Sequence, residues 1–220
     1  MPSRAWDLRL HLVTDERITF GQLVETVTAA VTGGVTVVQY RNKTLNSAEI
    51  RKEVTELSSR LSGRATLVVN DHLTDVCELR AAGVRVDGVH LGQSDASPQL
   101  ARELLGPDAL IGWTANTREH ALAAAAFAAG TIDYLGVGVI NSTATKADAP
   151  PVLGVSGFAE FTSWTQLPAV AIGGITVGDV APLVRAGAAG IAVVSAICSS
   201  PNPREAARGF IGEFESVRAS

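Results

Sequence analysis

The chain has 220 residues, of which 46% are hydrophobic, and its formal net charge is −4 at pH 7. This length and composition are typical of one globular domain that covers residues 1–220. The negative charge balance argues against broad binding to nucleic acid or to an anionic membrane surface, so any phosphate site must be a local basic pocket.

Predicted strands and helices alternate along the whole chain. Short apolar runs rich in β-branched residues indicate buried strands, and apolar residues at three- to four-residue spacing indicate helices. In chain order, the predicted elements are strand 8–13, helix 20–31, strand 35–39, helix 47–61, strand 65–69, helix 73–82, strand 86–91, helix 98–105, strand 109–113, helix 119–129, strand 132–137, helix 158–164, strand 169–172, helix 180–186, strand 190–194 and helix 203–217. A polar loop, 138–152, follows the sixth strand.

The number and pattern of these units predict the fold class. Continuous apolar strands are expected when both faces of a parallel sheet are covered by helices. Eight strand–helix units favour an α/β protein with a (β/α)₈ TIM barrel as its single domain, for which about 200 residues is the lower end of the usual size. An open doubly wound sheet is the weaker alternative.

In such a barrel the carboxyl ends of the strands meet on the face that carries the active site. The second strand leads into Gln39-Tyr40-Arg41-Asn42-Lys43. Alternation along a strand places Gln39, Arg41 and Lys43 on one side. A guanidinium forks onto phosphate oxygens and an ammonium adds a mobile charge, so the segment predicts a phosphate site. The alternative is a surface loop with two solvated cations.

Two acidic residues follow neighbouring predicted strands. Asp71 and Asp95 would bring two carboxylates together, which together with water and substrate phosphates is the usual magnesium arrangement. The alternatives are a helix cap for Asp71, before His72, and a cap or turn residue for Asp95, near Ser97. We interpret His90 as a hydrogen-bonded lining residue in preference to a ligand or an acid.

Two further segments are candidates for a second phosphate. Thr143-Ala144-Thr145-Lys146 lies in the long loop, where its hydroxyls and ammonium suit a phosphate that is covered after binding, although an exposed flexible loop is the alternative. At Gly173-Gly174 the missing Cβ atoms allow backbone N–H groups to approach an anion, with a tight strand–helix turn as the alternative. Ser195, after the eighth strand, completes the same corner.

The N-terminal residues 1–7 show no apolar core of a signal peptide, and the alanine-rich run 121–129 is too short to span a bilayer. Cys77 and Cys198 lie among helix-like and apolar residues, which indicates reduced packing residues of a cytoplasmic protein. We therefore expect small-molecule substrates as partners and neither nucleic acid nor membrane. A homo-oligomer is compatible with the sequence.

Taken together, these motifs resemble the thiamine-phosphate synthase family over most of the chain, from Leu10 to Phe210. The resemblance is carried by Gln39-Tyr40-Arg41-Asn42-Lys43, Val69-Asn70-Asp71, His90-Leu91-Gly92-Gln93-Ser94-Asp95, Thr143-Ala144-Thr145-Lys146 and Ile172-Gly173-Gly174-Ile175. It implies a (β/α)₈ transferase that uses Mg²⁺ to join the diphosphate of 4-amino-2-methyl-5-hydroxymethylpyrimidine to 4-methyl-5-(2-phosphooxyethyl)thiazole or its carboxylated form. The products would be thiamine phosphate and diphosphate.

The resemblance also implies roles for individual residues. It assigns Arg41, Lys43 and Lys146 to catalysis and Asp71 and Asp95 to the metal. It assigns to the pyrimidine diphosphate Gln39, Tyr40, Arg41, Asn42, Lys43, Asn70, Thr114 and Lys146. It assigns to the thiazole phosphate Thr143, Ala144, Thr145, Gly174, Val194 and Ser195. The sequence departs from the family at 139–142, where a proline and an aromatic are usual, at Thr114, where serine is common, and at Asn116, where histidine is frequent.

The implied mechanism is dissociative: the diphosphate leaves, and the thiazole nitrogen captures the pyrimidine methylene cation. Two other functions remain open at this stage. A thiazole tautomerase would have little use for paired aspartates and an Arg-x-Lys segment, and a regulator that binds thiamine precursors would need phosphate donors but no magnesium pair. Retention of Asp71, Asp95 and Lys146 favours the synthase over both.

Overall fold

A computed structural model describes residues 6–142 and 151–218 of the chain. The strands are β1 Leu10–Val13, β2 Val37–Tyr40, β3 Thr66–Asn70, β4 Gly88–Leu91, β5 Leu110–Thr114, β6 Tyr134–Gly138, β7 Ala169–Ile172 and β8 Ala188–Val193. The helices are α1 Phe20–Thr32, α2 Ser47–Leu61, α3 Leu73–Ala81, α4 Pro98–Leu105, α5 Arg118–Ala126, α6 Gly154–Ser163, α7 Val177–Arg185, α8 Ser195–Cys198 and α9 Pro203–Arg218. Within the described ranges, no helix is both long and apolar enough to cross a membrane.

The strands form a closed barrel in chain order, from β1 through β8 and back to β1. Every neighbouring pair is parallel, including the closing pair, in which His11 lies opposite Ala192. This arrangement confirms the predicted (β/α)₈ barrel and excludes the open sheet. Because all eight strands run the same way, their carboxyl ends share one rim.

The helices differ from the prediction at several ends. Helix α5 ends at Ala126, before the predicted boundary, and α6 begins at Gly154, four residues before the predicted start at 158. The one-turn helix α8 was not predicted, because four residues are too few to show a helical period. Well-formed capping boxes begin α1 at Thr19 and α2 at Asn46, where the side chain of each cap bonds backbone N–H groups of the first turn.

Alternating strand residues separate two buried layers. Leu10 and Leu12 point outward into the large apolar layer between barrel and helices, whereas Val13 belongs to a smaller cluster inside the barrel. The inner cluster takes one or two residues from most strands and is completed by Tyr134 of β6. It lies inside the barrel, and four of its members, Val13, Tyr134, Val170 and Ala192, form part of the wall of an open space towards the carboxyl rim.

Glycines on neighbouring strands make room for two large polar residues inside the barrel. A Cβ on Gly112 would lie 2.2 Å from the Tyr134 ring and 2.5 Å from Nδ1 of His90, and a Cβ on Gly136 would lie 2.9 Å from Cε1 of His90. Only residues without side chains fit there. The packing therefore fixes His90 and Tyr134 at the floor of the open space.

Candidate active site

A cavity of about 750 Å³ opens at the carboxyl rim of the barrel. Every strand contributes to its lining. The lining residues within strands include His11, Gln39, Asn70, His90, Thr114, Gly136, Ile172 and Val193, and the loops that follow the strands add the rim. The cavity is therefore where the sequence predicted the site, at the carboxyl ends of the strands.

In the segment that begins at the end of β2, alternate side chains point to opposite sides, as expected for a strand. Gln39, Arg41 and Lys43 line the cavity, and Gln39 Nε2 donates to Oδ1 of Asn70 at 2.8 Å. Tyr40 points the other way: it is 1% exposed within the helix layer, and its hydroxyl donates to Glu53 at 2.6 Å. Tyr40 is thus a packing residue, and we remove its side chain from the predicted substrate contacts.

Asn42 also has a structural function in this segment. Its Oδ1 accepts from the backbone N–H of Thr44 at 2.9 Å and of Leu45 at 3.2 Å, and it is not among the residues that line the cavity. The side chain closes the turn that leads into α2, as asparagine often does. A substrate contact by the Asn42 side chain is therefore not supported by its position.

Asp71 and Asp95 meet at the rim, as predicted from their neighbouring strands. Their carboxyl groups lie close enough for each to influence the other's ionisation, and Nζ of Lys43 lies 3.5 Å from Oδ2 of Asp71. Burial, and then the Asp95 carboxylate, raise the pKa of Asp71 to about 6, while Lys43 opposes the rise. A pair of carboxylates held against their mutual repulsion, beside the Lys43 ammonium, suits a divalent cation bound to a phosphate.

The donor set fits magnesium better than a transition metal. Across residues 6–142 and 151–218, no group of three or more His, Cys, Asp and Glu side chains is arranged to hold a metal. Mg²⁺ usually takes one or two carboxylates and fills its remaining positions with water and substrate phosphates. Asp71 and Asp95 would supply the protein oxygens of such a site.

The alternative roles for the two aspartates have different outcomes. The residue that precedes α3 is His72, not Asp71, and no side chain caps that helix, so the cap interpretation of Asp71 is wrong. Asp95 does hold a turn, because its Oδ2 accepts from the backbone N–H of Gly92 at 2.6 Å, while Ser97 caps α4. The Asp95 carboxylate thus holds this turn and also pairs with Asp71.

His90 is a neutral lining residue, as we interpreted it from the sequence. Its Nδ1 is 2.9 Å from the hydroxyl of Tyr134, and its Nε2 is 3.1 Å from Oγ1 of Thr114. Burial lowers the pKa of His90 to about 4, so the ring is uncharged at neutral pH. The bond to His90 orients the Thr114 hydroxyl at the cavity wall.

The loop after β1 was missed at the sequence level, although it lines the cavity. Oγ1 of Thr14 accepts from the backbone N–H of Arg41 at 2.8 Å, and a Glu16 carboxylate oxygen accepts from that of Lys43 at 2.6 Å. Glu16 also lies 3.6 Å from the Arg41 guanidinium, and Arg17 adds a third cation to the described rim. The sequence did contain a signal for this loop, because polar residues follow the first strand directly. The rule that residues after each strand line the active-site face, which identified the other strand ends, applies to these residues as well.

His11 is a second buried histidine inside the barrel. Its ring packs edge-on against Tyr134 with centroids 5.2 Å apart, and its Nε2 has no hydrogen-bond partner among the described residues. Burial, and then repulsion from His90, lower the pKa of His11 to about 3. The two histidines therefore both stay neutral in the folded protein.

We expect these histidines to make the protein sensitive to mild acid. Between pH 6.5 and about 4, the unfolded chain binds protons at both imidazoles and the folded chain does not, so stability falls as the pH falls. Each histidine contributes up to about 1.4 kcal/mol per pH unit. Chemical denaturation of wild type and His11→Phe at pH 7 and pH 5 measures how much the free energy of unfolding falls on acidification. A loss on acidification that is the same in the variant would contradict the assignment to His11.

The corner after β7 and β8 also lies at the rim. Gly174, Val194 and Ser195 line the cavity, and Gly174 has a φ of 64°. A Cβ there would come within 2.8 Å of the backbone oxygens of Asn141 and Ser142, so glycine is required both by conformation and by space. Thr143, Ala144, Thr145 and Lys146 lie outside the described residues.

Asn141 belongs to the segment that departs from the family pattern, and it has a clear structural function. Its Nδ2 donates to the backbone oxygen of Gly174 and to Oδ2 of Asp179, both at 3.1 Å. The same Asp179 oxygen accepts from the backbone N–H of Thr176 at 2.8 Å. Asn141 thus ties the loop after β6 to the start of α7 and closes the glycine corner.

Comparisons with known proteins identify the family of the chain. Residues 10–197 match the family model described as thiamine monophosphate synthase. The chain belongs to the thiamine monophosphate synthase family. Thiamine-phosphate synthase of Azorhizobium caulinodans is 45% identical over 215 residues, which cover 97% of this chain and 98% of the relative. The protein of the same name from Psychrobacter sp. is 38% identical over 207 residues, with 94% and 95% coverage.

A solved structure supports the same family. Thiamine phosphate pyrophosphorylase from Pyrococcus furiosus matches with a TM-score of 0.80 at 30% identity, covering 96% of this chain and 97% of its own. The resemblance to the thiamine monophosphate synthase family, first seen in short motifs, is therefore confirmed over nearly the full length. Membership of this family identifies the chain as a transferase of thiamine biosynthesis.

Proposed function

We propose that the chain joins the pyrimidine diphosphate to the thiazole phosphate and so forms thiamine phosphate and diphosphate. The second substrate is either the thiazole phosphate itself or its carboxylated form. The observation that carries this proposal is the pairing of Asp71 and Asp95, with Lys43 beside Asp71 and with Arg41 lining the same cavity. Paired carboxylates and adjacent cations are what a metal-bound diphosphate requires. The substrates are the partners that we propose for this cavity.

In this proposal the pyrimidine diphosphate occupies the side of the cavity formed by β2 to β5. Arg41 and Lys43 bind the diphosphate, and Lys146 from the loop after β6 adds the third catalytic cation. Gln39, Asn70 and Thr114 lie deeper in the strands and face the pyrimidine ring. Mg²⁺ held by Asp71 and Asp95 would supply further positive charge to the diphosphate oxygens.

The protein acts mainly through charge and position. The bond that breaks joins the pyrimidine methylene carbon to the diphosphate oxygen, and the electron pair leaves with the diphosphate. Arg41 and Lys43 stabilise the growing negative charge, and the thiazole nitrogen then donates its lone pair to the methylene carbon. No protein nucleophile takes part, and His90 is neutral and already hydrogen-bonded on both ring nitrogens.

The thiazole phosphate takes the corner after β7 and β8. Gly174, Val194 and Ser195 line this part of the cavity, where the backbone of a barrel commonly binds a phosphate. Thr143, Ala144 and Thr145 complete the proposed contacts. No aspartate pair stands at this corner among the described lining residues, which suits a phosphate that is bound and not cleaved.

We expect diphosphate release to require both precursors and Mg²⁺. The purified protein with both precursors should form one thiamine phosphate for each diphosphate, and either precursor alone or an excess of EDTA should give none. Chromatography of thiamine phosphate and an enzymatic diphosphate assay measure the two products. Isomerisation of carboxylated thiazole phosphate without the pyrimidine would instead indicate a tautomerase, and tight precursor binding without any product would indicate a regulator.

A further inference from the structure

Asp71 adopts a backbone conformation that is unusual for a residue with a side chain. Its φ is 66°, in the left-handed region that glycine favours. Other than Asp71, Ser62 is the one non-glycine residue with a positive φ in the part of the chain that the structure describes, and it lies at the end of α2 far from the rim. An aspartate in this conformation at a candidate metal site calls for a structural cause.

Two successive tight turns produce this conformation. The backbone N–H of His72 donates to the oxygen of Asn70 at 2.8 Å, and the N–H of Leu73 donates to the oxygen of Asp71 at 2.8 Å. Hydrogen bonds between residues two apart define γ-turns, and the form with a positive φ at its centre is rare and strained. His72, with φ −76° and ψ 61°, has the geometry of the second, inverse turn.

The side chain of His72 contacts an ion pair between α2 and α3. Its Nδ1 lies 3.2 Å from Oδ2 of Asp75, whose side chain is only 5% exposed. The other oxygen of Asp75 lies 2.5 Å from the Arg51 guanidinium of α2. At this distance the polar edge of the His72 ring faces the Asp75 carboxylate directly. The three side chains thus connect the strained turn to two helices outside the barrel.

We propose that His72, Asp75 and Arg51 form an anchor that holds Asp71 in its left-handed conformation and so positions the Asp71 carboxylate beside Asp95. The three are positioning residues, since they act through the backbone at Asp71 and do not line the cavity. Without the anchor, the turn is free to relax to an unstrained backbone, which rotates the carboxylate away from Asp95. The inference concerns the metal function of Asp71 and therefore rests on the proposed function.

The test compares Mg²⁺ binding by three variants. His72→Leu removes the contact with Asp75, His72→Gln restores an N–H donor at the same place, and Arg85→Leu breaks an unrelated ion pair with Asp87 before β4. We expect the Mg²⁺ dissociation constant, measured by calorimetry with inorganic pyrophosphate present, to rise about tenfold in His72→Leu, as partners behind a metal ligand usually cause. His72→Gln should recover most of this loss, and Arg85→Leu should match wild type.

The outcomes separate the anchor from the proposed function itself. If His72→Leu lowers the melting temperature but binds Mg²⁺ as wild type does, the anchor is only structural and the inference is wrong. If wild type binds pyrophosphate with no Mg²⁺ dependence, the proposed metal site fails and the inference fails with it. Should His72→Leu not fold, Arg51→Met removes the other partner of Asp75. We expect this variant also to raise the Mg²⁺ dissociation constant, and a value equal to that of wild type would contradict the anchor.

Discussion

Asp71→Asn is expected to lose at least about 100-fold in turnover and yet to be more stable than wild type at pH 7. The loss follows because an amide is a poor substitute for a carboxylate at a Mg²⁺ site. The gain follows because the ionised Asp71 is partly buried against Asp95, and asparagine tolerates a positive φ well. A side chain that served only the fold would not show these opposite effects.

The stability gain has a defined pH dependence. The folded pKa of Asp71, about 6, lies above the ordinary aspartate value of 3.8, so the folded state binds more protons between these pH values. Wild type therefore loses stability relative to Asp71→Asn as the pH rises through this window, and the difference vanishes below it. After a discount for solvent screening, we expect the difference at pH 7 to be about 1 kcal/mol.

Urea denaturation at pH 4 and pH 7, with and without Mg²⁺, tests both parts of this prediction. Mg²⁺ together with pyrophosphate should raise the melting temperature of wild type and leave that of Asp71→Asn nearly unchanged, because a ligand stabilises only the state that binds it. Asp179→Asn is a suitable control, since this aspartate lies in the first turn of α7, away from Asp71, and accepts from the backbone N–H of Thr176. A variant Asp71→Asn that is active but unstable would show that Asp71 serves the fold.

Much of the barrel could be predicted because each strand is buried on both faces. That burial requires continuous apolar runs, and eight such runs between helices leave few other arrangements. Alternation correctly placed Gln39, Arg41 and Lys43 in the cavity. The same rule places Tyr40 on the opposite face, so its assignment to the substrate came from the resemblance and not from the strand pattern.

Other parts of the site depend on three-dimensional contacts that leave no local signal. The strain at Asp71 is not visible in the sequence, because aspartate there has the appearance of an ordinary helix cap. The contact between Glu16 and the backbone of Lys43 joins residues 27 positions apart. No glycine and no hydrophobic periodicity in the sequence indicates the conformation of Asp71 or the contact of Glu16. The sequence therefore predicts which strand ends carry the chemistry but not how neighbouring loops hold them in place.

Arg41→Met is expected to weaken binding of the pyrimidine diphosphate about 100-fold and to leave binding of the thiazole phosphate nearly unchanged. A hydrogen bond to a charged group contributes about 1.5–3 kcal/mol, and a guanidinium can make two to a diphosphate. The backbone of Arg41 is fixed by hydrogen bonds with the side chain of Thr14. Its guanidinium lies 3.6 Å from Glu16, too far for a strong hydrogen bond, so it is available to bind a diphosphate. Arg41→Lys keeps the charge without the fork and should lose about tenfold.

Arg17→Met is the matched control, because Arg17 lines the same rim on the loop after β1. Its guanidinium is already engaged by Asp15 through Nε at 2.8 Å and a terminal nitrogen at 2.6 Å, so it has less to offer a diphosphate. Calorimetric titration with one ligand at a time, in the presence of Mg²⁺, gives the two affinities for each variant. A larger loss of diphosphate binding in Arg17→Met than in Arg41→Met would place the diphosphate between β8 and β1. In that case the two substrates would have to exchange places in the cavity, and the acidic pair at Asp71 and Asp95 would need a function other than binding the diphosphate metal.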